Sequence, residues 1–375
     1  MYSKFDYIDS DSQLMAFSAQ IASAEWISVD TEFMRERTYY AQLALIQIGS
    51  AQGCALIDVP ALSNLAPLLD IFTKASCLKI MHSASQDMEV LYQALGEMPA
   101  PLFDTQIAAS FLGEPDQISY GNIVEQRIGV VLDKDQTRTN WLQRPLSEAQ
   151  LGYAEADVIY LHDLFEQLSV ELKAIGRLDW TYAESDALAA KTLHGLASEN
   201  AWQRLKSLGR LTPQQQQVAR ALSKWREDRA QTKDLPREWV LKKQALVGLA
   251  KFQPSSLNEM KEIEGLTDKF VQFLGKMMLN LLAEARQQDD GVDHLTQAEA
   301  TSEQRKLIKQ VMARLRAIGE EIKLAPSLVA NRNAVEQLVL GQRDLPMLSG
   351  WRAETAGNEL LALLDDLQAE LGGGA

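Results

Sequence analysis

The stretch Trp26-Ile-Ser-Val-Asp-Thr-Glu-Phe33 (residues 26–33) decides how the sequence is interpreted. Its apolar and β-branched residues predict a strand, and side chains alternate along a strand, so Asp30 and Glu32 share the face opposite to the apolar one. Two carboxylates on one face of an apolar strand repel each other and are costly to bury. The pair is therefore either a solvated strand end or part of a site where a divalent cation holds both acids together.

A second acidic position lies on a predicted helix that begins with a capping box at Ser147 and runs to about Leu168. Apolar residues at helical spacing form a stripe along it that must pack on the domain. At roughly 100° per residue, Asp157 falls about 60° from the centre of that stripe. Tyr153 lies one turn earlier on the same flank. Asp157 is either an ordinary boundary acid or a carboxylate that points into a site.

A third segment, His82-Ser-Ala-Ser-Gln-Asp87, follows the predicted strand Leu78–Met81 directly. Asp87 falls in the first turn of the next helix, where it either stabilises the helix dipole or is a further ligand. Four carboxylates on three segments suit Mg²⁺ or Mn²⁺, which prefer oxygen ligands. Only four histidines and two separated cysteines, Cys54 and Cys77, disfavour a zinc site.

The wider pattern predicts an α/β domain followed by helices. Strands are predicted at 26–33, 43–48, 54–59 and 78–81, the first three as an antiparallel meander. From residue 212 onward the pattern is helical, and Met260-x-x-Ile-x-Gly-Leu266 recurs as Leu345-x-x-Leu-x-Gly-Trp351, which indicates a diverged repeat. We expect three domains, at 1–195, 210–288 and 298–375, with the polar stretch 287–302 joining the two helical ones.

The composition of the 375 residues is that of a globular protein, with a net charge of −14 that is unevenly distributed. Residues 1–200 carry 12 Lys and Arg against 28 Asp and Glu, whereas residues 201–251 carry 12 basic and 4 acidic residues. The basic stretch is suited to a polyanion. No apolar run approaches the length of a membrane helix, and the polar first residues are no signal peptide. We expect a cytoplasmic protein, monomeric and with no membrane partner.

These residues together resemble a known family. The series Asp30-x-Glu32, Asp87, Tyr153-x3-Asp157 resembles the motifs of the DEDD exonuclease superfamily, in its tyrosine-bearing branch. The stretches DTEFMRERTYYAQLALIQI (30–48), FDTQIAA (103–109) and RTNWLQRPLSEAQLGYAEADV (138–158) are similar to bacterial ribonuclease D. SKWREDRAQTKDLPREWVLKKQALVGLAKFQP (223–254) resembles an HRDC domain, and the second helical repeat resembles a degenerate copy. Asn140 stands where the pattern has an Asp before the tryptophan.

The resemblance implies a ribonuclease H-like exonuclease domain, with a mixed sheet and flanking helices, followed by two all-α HRDC-type domains. It implies hydrolysis of RNA from the 3′ end, with release of nucleoside 5′-monophosphates, and two divalent metal ions, Mg²⁺ or Mn²⁺. By matching positions, Asp30 would bridge both ions, with Glu32 and Asp157 on the first and Asp87 on the second. Tyr153 would orient the attacking water. The implied substrates are tRNA precursors and other structured RNAs.

Five further residues are candidates for substrate binding, each with a structural alternative. His82 either lines the cleft or is packed, and Phe33 either stacks on the terminal base or belongs to the core. Arg144 either holds a phosphate or forms an ion pair, as do Arg35 and Arg37. Lys242 and Lys243 lie in a basic stretch near Trp225 and Trp239, which suits RNA but also fits a solvated face over core tryptophans.

Two alternative functions remain open from the residues alone. Related exonuclease chemistry also acts on DNA, and no residue in the sequence is seen to recognise a 2′-hydroxyl. A catalytically inactive RNA-binding protein is the second alternative, against which the complete set of five candidate catalytic residues argues.

Overall fold

The computed structural model describes residues 5–133, 135–136, 139–205, 208–287 and 300–372. Residues 288–299 lie outside the described residues. They include most of the predicted linker, the predicted end of the second domain at 288 and the predicted start of the third at 298. Residue 138, at the start of one family stretch, also lies outside the described residues.

A six-stranded mixed sheet forms the centre of the first domain. Its strands are β1 (Phe5–Ile8), β2 (Trp26–Met34), β3 (Gln42–Ser50), β4 (Gly53–Asp58), β5 (Leu78–Met81) and β6 (Leu102–Asp104), in the order β1-β4-β3-β2-β5-β6. The predicted antiparallel meander of β2, β3 and β4 is confirmed. β5 pairs in parallel with β2, β6 pairs in parallel with β5, and β1 pairs in parallel with β4. The sequence analysis missed β1 and β6, which have only four and three residues.

Helices cover both faces of this sheet. They are α1 (Asp11–Ile21), α2 (Ala66–Thr73), α3 (Ser85–Leu95), α4 (Thr105–Phe111), α5 (Tyr120–Ile128), α6 (Glu148–Ile159), α7 (Leu161–Ala174) and α8 (Leu178–Leu196). One face buries Ile27 and Val29 of β2 together with side chains of α1, α2 and α3. The other face buries Leu45 and Leu56 beneath α6. The first domain is therefore the expected three-layer α/β arrangement.

The helix predicted from Ser147 to Leu168 is interrupted, which corrects the expectation. The capping box at Ser147 is present, but α6 ends at Ile159, and α7 begins at Leu161 and runs on to Ala174. The two halves of the apolar stripe enter different cores, since Val158 packs on the sheet whereas Leu164 and Leu168 pack with α4. The break at Tyr160 lets each half reach its own core.

The remaining helices repeat one order of elements twice. The first set is α9 (Pro213–Lys233), α10 (Arg237–Val240), α11 (Lys243–Phe252), α12 (Leu257–Lys261) and α13 (Asp268–Gln287). The second is α14 (Ser302–Ile322), α15 (Pro326–Val329), α16 (Arg332–Val339), α17 (Gly350–Arg352) and α18 (Asn358–Gly372), with a 3₁₀ turn at Pro346–Leu348 in the place of α12. Both long first helices have 21 residues and begin with a threonine capping box. Gly265 and Gly350 of the matched motifs both have positive φ, at 88° and 52°.

Both helical repeats contact the first domain. The second shares a continuous apolar core with it, in which Phe111 and Trp180 pack against Trp351. Glu184 of α8 accepts hydrogen bonds from Arg352 Nη2 at 2.7 Å and from Trp351 Nε1 at 2.8 Å. Among the described residues, none of the helices is both long and apolar enough to cross a lipid bilayer.

Candidate active site

Three of the four predicted carboxylates lie together at one end of the sheet. One carboxylate oxygen from each of Asp30, Glu32 and Asp157 lies within 4.8 Å of the other two. Asp30 and Glu32 project from the β2 face that α6 covers, because the opposite face carries Ile27 and Val29 in the other core. α6 supplies Asp157. The strand and the helix thus form a pocket of acids from positions more than 120 residues apart.

A glycine lets α6 approach the strands closely. A Cβ atom at Gly49 would lie 2.2 Å from Ser28 Oγ and 3.4 Å from the main-chain oxygen of Val158. A larger residue would therefore collide with the Ser28 side chain in the space beneath α6. Tyr120 adds a second restraint, because its hydroxyl donates a 3.0 Å hydrogen bond to the carbonyl of Ala156, next to Asp157.

Asp87 is held differently from the other three acids. Asp104 accepts hydrogen bonds from the main-chain N–H groups of Ser83 and Ala84, which fixes the turn before α3 and places Asp87 in its first turn. The buried Asp87 carboxylate then accepts a 2.5 Å hydrogen bond from the Thr31 hydroxyl. Asp87 is absent from the close group of three carboxylates, although it is near enough to influence their charge. Asp104 itself is the N-cap of α4, where its side chain accepts hydrogen bonds from the main-chain N–H groups of Gln106 and Ile107.

Burial and mutual repulsion disfavour the charged forms of these acids. Burial, followed by the charges of Asp157 and Asp87, raises the pKa of Glu32 to about 9. Burial and the Asp87 charge raise the pKa of Asp157 to about 8. The pKa of Asp30 lies well above its ordinary value because the group is buried and faces three other carboxylates. A cluster of this kind is unfavourable when all its members are ionised, unless a cation compensates their charge.

The neighbouring polar groups also fit a bound cation. The Tyr153 phenol donates a hydrogen bond to Asp157, which partly offsets the rise in the pKa of that carboxyl. Gln47 lies opposite Asp30 in the β2–β3 register, so the two side chains share a face. Gln47 is fully buried, and within the described part of the chain neither of its amide atoms has a hydrogen-bond partner. An unpaired buried amide beside an acid cluster is the mark of a site completed by water or an ion.

The donor set is therefore suited to a hard divalent cation. Asp30, Glu32 and Asp157 offer carboxylate oxygens that lie close enough together to hold one ion, and Asp87 is near enough to raise the pKa of Glu32 and Asp157. Mg²⁺ and Mn²⁺ prefer such oxygen donors and retain several waters, for which Gln47 and Tyr153 provide hydrogen-bonding groups.

Two of the predicted substrate contacts have structural partners instead. His82 donates from Nε2 to the carbonyl of Ile118 at 3.0 Å, and its Nδ1 lies 2.9 Å from Thr105 Oγ1. Arg144 binds both carboxylate oxygens of Asp58, at 2.6 and 2.7 Å, and donates to the carbonyls of Trp141, Gln143 and Ala44. With these partners, both side chains tie loops to the sheet, and the ion pair that was the alternative for Arg144 is present.

The other candidates remain accessible. Phe33 is partly exposed at the end of β2, one residue beyond Glu32. Lys242 and Lys243 are exposed, and beside them Trp239 is 61% exposed, whereas Trp225 packs against the core of the first helical repeat. The tryptophans of the basic stretch are thus divided between core and surface.

The sequence analysis missed Gln47 and Tyr120 as parts of this site. Gln47 carries a detectable signal, because it is a polar residue in the middle of the apolar strand β3. Tyr120 carries none, since it begins a short helix whose position against α6 depends on the tertiary fold.

Comparison with known proteins agrees with this architecture. A family model described as a 3′-5′ exonuclease matches residues 5–173, and an HRDC domain model matches residues 215–282. These two regions contain the acid cluster and the first helical repeat respectively. The predicted fold class, with its mixed sheet and helical C-terminal part, is confirmed.

Relatives match over nearly the whole length. Ribonuclease D from Shewanella sp. (strain ANA-3) is 35% identical over 97% of this chain and 95% of its own. Ribonuclease D from Escherichia coli (strain K12) is 33% identical over 96% of this chain and 99% of its own. The crystal structure of Escherichia coli RNase D, described as an exoribonuclease involved in structured RNA processing, superimposes with a TM-score of 0.87 over 97% of this chain and 99% of that one. The chain therefore belongs to the ribonuclease D family.

Proposed function

We propose that this chain is a metal-dependent 3′→5′ exoribonuclease that shortens structured RNAs, such as tRNA precursors, one nucleoside 5′-monophosphate at a time. The observation that carries the proposal is the convergence of Asp30, Glu32 and Asp157 within 4.8 Å, beside Tyr153, in a chain of the ribonuclease D family. Asp87 completes the proposed set of metal ligands. Four carboxylates can provide ligands for two ions, Mg²⁺ or Mn²⁺. When bound, these ions would activate water and stabilise the departing oxygen.

The protein's own groups account for the geometry of the step. The Tyr153 hydroxyl donates a hydrogen bond to Asp157, and its phenolic oxygen has acceptor capacity with which it can orient the attacking water. The attacking water gives up one proton to solvent as its oxygen forms a new bond to phosphorus, the bond from phosphorus to the 3′ oxygen breaks, and that oxygen takes up one proton from solvent. The products are a nucleoside 5′-monophosphate and an RNA shortened by one residue with a new 3′-hydroxyl.

Several finer features are part of the same proposal. Phe33 stacks on the terminal base, and Lys242 and Lys243 contact phosphates upstream of it. The enzyme acts as a cytoplasmic monomer, with an exonuclease domain at 1–195 and helical domains at 210–288 and 298–375. The ends of α8 at Leu196 and of α13 at Gln287 support the first two of these ranges.

The test is digestion of a 3′-extended tRNA beside a DNA strand of the same sequence, with Mg²⁺, with Mn²⁺ and with EDTA. The proposal predicts metal-dependent shortening of the RNA from its 3′ end, with slower loss of the DNA. Equal or faster digestion of the DNA would favour the alternative of a DNA exonuclease. No digestion of either strand, with the RNA still bound, would favour an inactive RNA-binding protein.

A further inference from the structure

Two cavities lie where the first helical repeat meets the exonuclease domain, outside the acid cluster. One has a volume of about 280 Å³ and lies between the start of α3, the end of α8 and the chain before α9. The other has a volume of about 420 Å³ and lies beside the loop that follows β2. Leu196 lines both. Glu89 of the first cavity accepts a hydrogen bond from Gln93 of the second at 3.1 Å, so the two cavities are adjacent, and we call them together the seam groove.

The first cavity is positively charged. Its charged lining consists of Arg35, Lys191, Arg204, Arg237 and Glu89. Arg35 is paired with Glu89 at 2.7 Å, while Arg204 and Arg237 both bind the fully buried Glu227, at 3.0 and 2.6 Å. Lys191 is exposed and has no ion pair within the described part of the chain. Four cations facing two carboxylates leave an excess of positive charge in an otherwise acidic domain.

The second cavity is aromatic. Tyr39, Tyr40 and Tyr92 line it, and Tyr40 is 41% exposed. Tyr39 is the fixed member, because its hydroxyl donates to Glu227 at 2.5 Å and Arg237 lies over its ring at 4.6 Å. The main-chain N–H of Tyr40 donates to Asp234 at 3.0 Å, which holds the loop and leaves the Tyr40 ring facing the cavity. A base-sized aromatic surface therefore lies next to a phosphate-sized cationic one.

We propose that this seam groove binds one nucleotide of a single-stranded RNA upstream of the 3′ end being cleaved, with its base on Tyr40 and Tyr92 and its phosphate on Arg35 and Lys191. Base stacking on tyrosine and phosphate pairing with cations are the two interactions by which single strands are held without sequence preference. Arg35 follows Glu32 by three residues, so at about 3.3 Å per residue in an extended chain the main chain at Arg35 lies no more than roughly 10 Å from that at Glu32. The inference rests on the proposed exonuclease function.

The test compares a dinucleotide with longer single-stranded RNAs in the full-length chain. A dinucleotide fills only the acid cluster, whereas longer strands reach the groove. For a Lys191→Ala, Tyr40→Ala double variant, we expect the ratio of kcat/KM for the longer strands to that for the dinucleotide to fall about tenfold. Loss of the lysine charge should also make the binding of long strands less dependent on salt. The slope of the logarithm of the binding constant against the logarithm of the salt concentration should become shallower by about one unit. The main-chain bond from residue 40 to Asp234 survives the substitution.

The matched control is a Lys309→Ala, Phe273→Ala double variant, which removes an exposed lysine and a 71% exposed aromatic ring away from the groove. It should keep the wild-type ratio. An unchanged ratio and salt slope in the groove variant would overturn the groove assignment. The groove assignment would also be overturned if the groove variant differed from wild type only in its inhibition by free 5′-AMP, because the groove would then be a site for released product. If the wild type cleaves neither the dinucleotide nor the longer strands, the proposed function itself is refuted.

Discussion

Glu32→Gln should stabilise the metal-free protein, although Glu32 is a proposed catalytic residue. In the folded chain the Glu32 pKa is raised from its ordinary 4.5 to about 9, first by burial and then by the charges of Asp157 and Asp87. A raised carboxyl pKa means that the folded state keeps a proton which the unfolded state has lost between pH 4.5 and pH 9. Stability is therefore greatest below about pH 4.5 and falls as the pH rises through that window.

The magnitude follows from the same values. Each pH unit inside the window costs about 1.4 kcal/mol, so holding the proton on Glu32 at pH 7.5 destabilises the metal-free fold by at most about 4 kcal/mol relative to the unfolded chain, in which Glu32 is ionised. We halve this figure, to about 2 kcal/mol, because the side chain is only partly buried and solvent screens it. Glutamine keeps the shape and removes the charge. For a domain of this size the gain corresponds to a rise in Tm of about 4–8 °C.

The assay is thermal unfolding of wild type and Glu32→Gln in EDTA from pH 5 to pH 9, followed by titration of Mg²⁺. The variant should be more stable at pH 7.5, the difference should shrink towards pH 5, and Mg²⁺ should stabilise the wild type more strongly. Glu36→Gln, at an exposed acid four residues away, is the matched control and should change little. A Glu32→Gln protein that is less stable than wild type at pH 7.5 in EDTA would refute the reasoning.

Three further predictions concern neighbouring side chains. Tyr153→Phe should lower kcat about 10- to 100-fold in steady-state assays with little change in KM, because only the water-orienting oxygen is lost. A rise in KM by the same factor as the fall in kcat would instead indicate a binding role. Gln47→Leu removes an unpaired buried amide, so it should raise the free energy of unfolding by about 1 kcal/mol in chemical denaturation. The same variant should weaken Mg²⁺ binding in calorimetry. Unchanged Mg²⁺ affinity would show that Gln47 takes no part in the metal site. Arg144→Lys should cost about 1–3 kcal/mol of stability through loss of the paired bonds to Asp58, while the folded variant keeps its RNA affinity; weaker RNA binding would restore Arg144 as a phosphate ligand.

The sequence was sufficient wherever a local period determined which way a side chain points. Alternation along β2 separates Asp30 and Glu32 from the apolar face, and helical spacing places Tyr153 one turn before Asp157. The structure has both arrangements. The meander and the repeated order of helices were predictable for the same reason, since their patterns are local.

Features that depend on distant partners were not predictable. Arg144 forms an ion pair with Asp58, 86 positions away in sequence, and His82 donates a hydrogen bond to the carbonyl of Ile118, 36 positions away. The orientation of Asp87 depends on a hydroxyl of β2, 56 positions away. No periodic pattern reports such pairings. Likewise, the seam groove lies where Tyr39 of the first domain donates a hydrogen bond to Glu227 of the first helical repeat, 188 positions away.

The central claim is that the carboxylate cluster and Tyr153 hydrolyse RNA from its 3′ end. The most direct measurement follows a single-stranded RNA labelled on its 3′-terminal nucleotide, with Mg²⁺, for wild type and Asp30→Asn side by side. The account predicts that wild type releases the label at once as a nucleoside 5′-monophosphate, and that Asp30→Asn, folded and still able to bind RNA, releases none. Equal release by both proteins, or a label that first appears in longer fragments, would contradict it.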